Sequence, residues 1–172
     1  MTFSRRPVAR IRALITDVDG VLTDGGMYFD GHGQALKRFS VKDGYIVGPM
    51  QRSGVLMAWV TGDDSDITRA RAAKMGIDEL CSGVEDKGQC VRQLLARHGI
   101  LPQEAVFIGD DLNDLPAMEQ VGFSACPADA SEPVLQRVDL VTSRKGGEGA
   151  VREVCDLILE WNRQWKHAAP SG

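Results

Sequence analysis

Two aspartates separated by one residue stand at the end of an apolar run and are followed at once by a glycine, in Asp17-Val18-Asp19-Gly20-Val21-Leu22-Thr23-Asp24. The run before them, Ala13-Leu14-Ile15-Thr16, reads as a buried strand. On an extended chain residues i and i+2 point the same way. Asp17 and Asp19 therefore project together from the carboxyl end of that strand, which is where open α/β sheets bind ligands. Unpaired buried charge is costly, and a divalent cation is the simplest compensation. A second cluster repeats the layout: Ala105-Val106-Phe107-Ile108-Gly109 is followed by Asp110-Asp111-Leu112-Asn113-Asp114. Side by side, the two strand ends bring Asp17, Asp19 and Asp110 around one point. A few carboxylates, completed by water and phosphate oxygens, suit Mg²⁺, and the simplest use of such a site is phosphoryl transfer.

The elements that must position these acids follow from the hydrophobic pattern. Strands are expected over 13–16, 55–60, 79–81, 105–108, 122–125 and 139–141. Helices are expected over 44–53, 65–74, 87–98, 112–121, 132–137 and 148–165. This alternation argues for an α/β, Rossmann-like doubly wound parallel sheet with helices on both faces. Met75-Gly76, His98-Gly99 and Val121-Gly122 read as helix stops. One segment interrupts the alternation. Met27-Tyr28-Phe29 and the run 35–39 flank Asp30-Gly31-His32-Gly33, an Asp-Gly hairpin signal, so a β-hairpin is inserted over about 24–40. The residues from His167 to Gly172 are expected to fray.

Length and composition bound the rest. At 172 residues the chain is long enough for one domain with a full core, and a single domain over 1–172 is expected. Apolar residues make up 43% and charged residues 26%, ordinary values for a globular protein. A net charge of −4 leaves no footprint for nucleic acid. It leaves an anionic substrate open, since a metal and nearby lysines reverse the local field. Without a long apolar stretch, neither a membrane span nor a signal peptide is expected. Cys81, Cys90, Cys126 and Cys155 form no C-x-x-C pair, and His32, His98 and His167 lie far apart. Zinc is therefore poorly supported, and scattered thiols fit a cytoplasmic chain. Neither the hairpin nor the stretch between Lys87 and Asp110 has room for a lid. Phosphoryl transfer needs shielding from water, so a neighbouring subunit is expected to supply it.

These residues carry a resemblance to the haloacid dehalogenase superfamily, whose four motifs appear in order. Asp17-Val18-Asp19-Gly20-Val21 matches the first and Thr61, in Val60-Thr61-Gly62, the second. Lys87 matches the third and Gly109-Asp110-Asp111-Leu112-Asn113-Asp114 the fourth. Over its whole length the chain is similar to the lidless phosphatases of 3-deoxy-D-manno-octulosonate 8-phosphate. The closest stretches are 17–24, Asp43-Gly44-Tyr45 and Gly146-Gly147-Glu148-Gly149-Ala150-Val151-Arg152-Glu153-Val154-Cys155. The resemblance implies a homotetramer in which hairpins form a central barrel and the glycine-rich tail reaches the next subunit's site. It implies that Asp17 attacks phosphorus, that Asp19 protonates the leaving alkoxide and then deprotonates water, and that Thr61 and Lys87 bind the transferring phosphoryl group. It further implies Mg²⁺ held by Asp17, the Asp19 carbonyl and Asp110, with Asp114 holding Lys87 and with Asp111 and Asn113 in support. The substrate is then a phosphorylated sugar acid.

One position departs from that family. Its members usually place arginine after the Thr-Gly of the second motif; here Asp63 stands there. An acid is closer to the phosphatases of nine-carbon ulosonate 9-phosphates and to the homologous domain of acylneuraminate cytidylyltransferases, where a lysine accompanies it. Lys74 stands at that place, whereas Arg71 matches an arginine position of the octulosonate enzymes and could face a substrate carboxylate through its fork. Eight- and nine-carbon substrates, and a non-catalytic assembly module, stay open at this point. Taken singly, several residues have ordinary readings. Asp111 suits a helix N-cap, Asp114 a dipole role, and Arg71 with Lys74 a solvated basic face. Lys42 and Asp43 read as a helix start, and His32 as a surface residue. The segment 145–149 reads as a flexible loop and lacks P-loop spacing. Trp161 and Trp165, with Val154 and Ile158, read as a packing stripe.

Overall fold

A computed structural model describes residues 2–5 and 7–168. In chain order, β1 (Thr2–Phe3) and β2 (Ala13–Thr16) precede the hairpin strands β3 (Tyr28–Asp30) and β4 (Gly33–Leu36). Two short helices follow, α1 (Val41–Tyr45) and α2 (Val47–Arg52). Next come β5 (Leu56–Val60), α3 (Asp66–Met75), β6 (Glu79–Cys81) and α4 (Lys87–Arg97). The chain continues through β7 (Ala105–Ile108), α5 (Leu115–Met118), β8 (Phe123–Cys126), α6 (Glu132–Leu135), β9 (Leu140–Val141) and α7 (Ala150–Ala168).

Seven strands form one sheet in the order β1-β9-β8-β7-β2-β5-β6, parallel except for β1 at the edge. The chain steps outward from β2 to β5 and β6, then crosses back to β7 and steps outward the other way. The crevice between β2 and β7 is therefore the topological switch point. Each central strand feeds both faces by alternation. Leu14, Met57, Trp59, Val106 and Ile108 face one core, with Ile46, Val47 and Met50 of the paired short helices and Val151, Val154, Cys155 and Ile158 of α7. Ala13, Ile15, Ala58, Val60, Ala105 and Phe107 face the other, with Val91, Leu94, Leu95, Ala117 and Val134. The doubly wound sheet is as expected, with β1 as an addition. Two residues are too few to show a period, and their pairing partner lies far along the chain.

The differences at element ends have local causes. The helix expected over 44–53 is two helices that start earlier, because Ser40 caps the first by accepting the Lys42 N–H at 3.2 Å. The helix expected over 112–121 is a 3-10 turn, Leu112–Asp114, followed by the single turn of α5. The Asp114 carboxylate turns back onto the N–H groups of Asp110 and Asp111 and tightens the start. α7 begins at Ala150 because Gly149 has φ +105°. The expected fraying after His167 falls largely on residues outside those described; the helix itself runs to Ala168. Trp161 is buried edge-on against Phe123 at 5.3 Å, whereas Trp165 is 40% exposed, so only the first tryptophan belongs to the core.

Asn162, beside Trp161, ties α7 to the segment before β2. Its Oδ1 accepts the Ile11 N–H at 2.9 Å and its Nδ2 donates to the Ile11 carbonyl at 2.8 Å, both buried. Asn162→Ala orphans a buried donor and a buried acceptor, each costing about 1–3 kcal/mol. A lower urea midpoint with an unchanged slope is expected; an unchanged midpoint would show that water replaces the amide.

Candidate active site

The three central strands end level. Thr16 of β2 lies opposite Trp59 of β5 and Ile108 of β7. Asp17 extends the ladder by one step, its N–H donating to the Ile108 carbonyl at 2.8 Å. Thr61 extends β5, its N–H donating to the Cys81 carbonyl at 2.9 Å. Asp110 follows Gly109 beyond β7. The loop after Asp17 is held shut locally: the N–H groups of Leu22 and Thr23 donate to the Val18 carbonyl at 2.9 and 3.1 Å. Thr23 Oγ1 accepts from the N–H groups of Gly20 and Gly25, each at 3.2 Å. Gly20 has φ +87°, and a Cβ there would lie 2.1 Å from Asp110 Oδ2. Glycine is what lets the two acidic loops meet.

Lys87, the first residue of α4, enters from below. Its Nζ lies 3.0 Å from Asp17 Oδ1 and 2.6 Å from Asp114 Oδ1, and all three side chains are buried. Asp114 Oδ2 accepts the backbone N–H groups of Asp110 and Asp111 at 2.9 and 3.3 Å. Asp17, Asp110 and Asp114 each offer a carboxylate oxygen within 4.8 Å of the others. Three acids thus cluster around one lysine that pairs with two of them. Asp114 is satisfied by Lys87 and two N–H groups; Asp17 and Asp110 are left with negative charge to balance. Burial and then the Asp114 charge push the Asp17 carboxyl up, against the pull of Lys87. Burial, then the charges of Asp17 and Asp114, push Asp110 up to about 7. Burial lowers Lys87, but Asp17 and Asp114 outweigh it and hold the ammonium charged. This donor set, hard oxygen ligands with excess charge, fits a divalent cation such as Mg²⁺.

A cleft of about 340 Å³ opens over this cluster. Its walls are Asp17, Asp19, Thr61, Gly62, Asp63, Lys87, Asp110, Asp111 and Asn113, with Met27 from the start of the hairpin. The structure thereby brings together nearly every residue expected there. Asp111 also caps the 3-10 turn, accepting the Leu112 N–H at 2.8 Å. Arg71 and Lys74 are the exceptions among the expected substrate residues. Arg71 donates to the Ser40 carbonyl at 3.2 Å and stacks over Phe39, on the core side of α3. Lys74, three residues on, faces solvent. Neither lines the cleft of its own chain.

Three contributions were not visible in the pattern. Lys37, just past β4, has a fully buried side chain whose Nζ lies 2.7 Å from Asp19 Oδ2 and 2.9 Å from Asp63 Oδ2. Asp43 is buried and accepts the N–H groups of Gly149 and Arg152 at 3.2 and 2.7 Å, capping α7 from a distant helix. The segment 145–149, expected to be a flexible loop, is docked instead. The Gly146 N–H donates to Asp129 at 2.9 Å and the Gly147 N–H to the Val21 carbonyl at 3.0 Å. A Cβ at Gly146 would lie 1.9 Å from the Gly20 carbonyl oxygen, so its glycine allows it to brace the first acidic loop. The Gly-Gly pair was the available signal, but no local pattern names its partner.

The raised carboxyls set a pH dependence. Asp110 binds its proton up to about pH 7 in the folded chain, against 3.8 as the ordinary value. Between those values the unfolded chain has released protons that the folded chain keeps, so stability of the metal-free protein falls as pH rises through that window. Mg²⁺ favours the ionised carboxylates and offsets the loss. A larger Mg²⁺-induced rise in Tm is expected near about pH 8 than near about pH 5; equal shifts would remove these carboxylates from the metal site.

Comparison with known proteins agrees with this geometry. Residues 52–154 match the model of the haloacid dehalogenase-like hydrolase family. The 3-deoxy-D-manno-octulosonate 8-phosphate phosphatase of Yersinia pestis is 46% identical over 151 residues, covering 88% of this chain and 81% of its own. The cobalt-bound deoxy-D-mannose-octulosonate 8-phosphate phosphatase of Haemophilus influenzae superposes with TM-score 0.87 at 40% identity, covering 90% of each chain. The Moraxella catarrhalis phosphatase, in complex with magnesium, phosphate and a KDO molecule, superposes with TM-score 0.86 at 35% identity, covering 92% of this chain and 91% of its own. The residues at the strand ends, the sheet that carries them and these likenesses agree: the chain belongs to the haloacid dehalogenase-like hydrolases, in the lidless family of 3-deoxy-D-manno-octulosonate 8-phosphate phosphatases.

Proposed function

We propose that the chain is a Mg²⁺-dependent phosphatase that hydrolyses 3-deoxy-D-manno-octulosonate 8-phosphate to the octulosonate and phosphate. The observation that carries this is the meeting of Asp17, Lys87 and Asp110 at level strand ends, under a cleft that Asp19 and Thr61 also line. Asp17, the Asp19 carbonyl and Asp110 would hold Mg²⁺, which supplies positive charge against the phosphoryl oxygens. An Asp17 carboxylate oxygen attacks phosphorus as the ester P–O bond breaks, and Asp19 gives its proton to the departing sugar oxygen. Water then attacks the aspartyl-phosphate, Asp19 takes its proton, and phosphate leaves. Lys87, with Thr61 and nearby N–H groups, neutralises the transferring oxygens, and Asp114 fixes Lys87.

The nine-carbon alternative rests on Asp63 with Lys74. Asp63 is tied to Lys37, and Lys74 faces solvent, which favours the eight-carbon substrate. A non-catalytic module has no need of the buried acid–lysine cluster. We further propose a homotetramer assembled through the hairpin. Tyr28, Phe29 and Leu36 are exposed there, with Val41 and Tyr45 beside them, an apolar surface of the kind that marks an interface. The segment 145–149 is docked in its own chain. The chain would act in the cytoplasm; among the described residues no helix is long and apolar enough to cross a membrane.

Asp17→Asn is expected to lower turnover by about 10⁴-fold or more with fold and assembly retained by circular dichroism and light scattering. Near-normal turnover would remove Asp17 as nucleophile. Phosphate release should depend on Mg²⁺, stop with EDTA, and favour octulosonate 8-phosphate over nine-carbon 9-phosphates. Preference for a nine-carbon substrate would transfer the specificity role to Asp63.

A further inference from the structure

The Asp19 carboxylate is held from outside its own motif. The Lys37 side chain is fully buried and its Nζ meets three acceptors: Asp19 Oδ2 at 2.7 Å, Asp63 Oδ2 at 2.9 Å and Thr68 Oγ1 at 3.2 Å. An ammonium has three N–H donors, so its donor set is filled. Asp63 is anchored in turn. Its Oδ2 accepts the Ser65 N–H at 3.1 Å, Ser65 Oγ at 2.5 Å and Thr68 Oγ1 at 2.9 Å. Ser65 is the N-cap of α3. A chain of hydrogen bonds therefore runs from the first turn of α3 through Asp63 and Lys37 to Asp19. Partial burial raises Asp63, but hydrogen bonds from Ser65, Lys37 and Thr68 outweigh it and hold its carboxyl at about 2. The anion facing Lys37 is thus permanent.

The two oxygens of Asp19 are unequal. Oδ2 is clamped by Lys37, while Oδ1 has Thr23 Oγ1 only at 3.5 Å. Asp19 lines the cleft, so Oδ1 is the oxygen with freedom to exchange a proton there. We infer that Lys37 is a positioning residue for the acid–base step, fixing the Asp19 carboxylate through Oδ2, and that Asp63 acts on the reaction through Lys37. This deepens the proposed phosphatase reading and rests on it. It also gives the departure at position 63 a cause inside this chain. An arginine there would set a guanidinium against the Lys37 ammonium, whereas aspartate completes the clamp.

The two leaving-group chemistries separate this role from simple support. When a sugar hydroxyl leaves, the Asp17–phosphorus bond forms, the ester P–O bond breaks, and the oxygen must take the Asp19 proton. When p-nitrophenol leaves, its stabilised phenolate departs without one. kcat/KM reports only the steps through this first transfer, so the later attack of water does not enter. The experiment measures kcat/KM of wild type, Lys37→Met, Asp63→Asn and the double variant on octulosonate 8-phosphate, on simple alkyl phosphates and on p-nitrophenyl phosphate. Lys37→Met is expected to lose about 10²-fold or more on the alkyl esters and under about tenfold on the aryl ester. Asp63→Asn should show the same inequality in smaller measure, and the double variant should be no worse than Lys37→Met. Equal losses on both classes, or losses confined to KM, would overturn the inference. If Lys37→Met does not fold by thermal melt, Asp63→Asn decides alone, and equal loss or no loss in it overturns the inference. Wild type that hydrolyses simple alkyl phosphates but not octulosonate 8-phosphate would overturn the substrate reading, and the alkyl-to-aryl comparison would still decide the role of Lys37.

Discussion

The architecture depends on one electrostatic constraint: Asp17, Asp110 and Asp114 are brought close together with one buried ammonium, Lys87, between two of them. Charges removed from water destabilise a fold unless hydrogen bonds and opposite charge compensate them. Each nearby feature supplies part of that compensation. The level ends of β2, β5 and β7 set the acids at one height. Lys87 sits at the start of α4, whose N-cap Asp86 orients the first turn by accepting the Gln89 N–H at 2.8 Å. Asp114 spends its second oxygen on two backbone N–H groups. The charge still uncompensated on Asp17 and Asp110 is what gives the site its appetite for a cation. The same imbalance that costs stability on its own is the source of metal affinity.

A second, smaller charge cluster is built on the same logic. Lys37 sits between Asp19 and Asp63 as Lys87 sits between Asp17 and Asp114. The two lysines come from different elements, one from the hairpin and one from α4. Each acid of the first motif thus has its own ammonium, and the two carboxylates, although only two residues apart, are held in separate electrostatic settings. Different settings are what allow neighbouring carboxylates to take different chemical roles. The hairpin therefore serves two ends. Its outer face carries the exposed Tyr28, Phe29 and Leu36, and its base delivers Lys37 under the cleft.

How much of this was legible in the sequence follows from the range of the interactions. The strands were readable because burial on both faces leaves continuous apolar runs such as Ala13–Thr16, and the acids were readable because they sit directly after those runs. Lys37 was not. In Leu36-Lys37-Arg38 it looks like a solvated hairpin lysine, and its partners Asp19 and Asp63 lie 18 and 26 residues away. Asp43 does stand in a helix start, the first turn of α1, but its capping of α7 was not legible for the same reason, since that helix begins more than a hundred residues later. Helix starts were displaced where a side chain, Ser40 or Asp114, took backbone N–H groups that a periodicity argument does not see. Arg71 and Lys74 failed in the opposite way. Their positions resembled those of substrate-binding residues, but tertiary contacts decide otherwise: Arg71 is engaged by Phe39 and the Ser40 carbonyl, and Lys74 is left in water.

The segment 145–149 shows how the two ends of the chain are made to serve one loop. Gly146 and Gly147 press against Gly20, Val21 and Thr23, at distances a Cβ would not permit. Asp43 then seizes the N–H groups of Gly149 and Arg152 where the next helix begins. Asp43 lies six residues after Lys37 on the same stretch of chain. The run from the hairpin base to α1 therefore makes contact with the first acidic loop twice, once directly through Lys37 and Asp19, and once indirectly through Asp43 and the glycine brace. Glycines tolerate this close approach but supply no rigidity of their own; the rigidity comes from the buried Asp43 and from Asp129 at either end of the brace. A lidless site has no closing domain to arrange its acids when substrate arrives. Holding Asp19 and its loop in place beforehand, from the hairpin side and from the brace, is the form that preorganisation takes when nothing large can move.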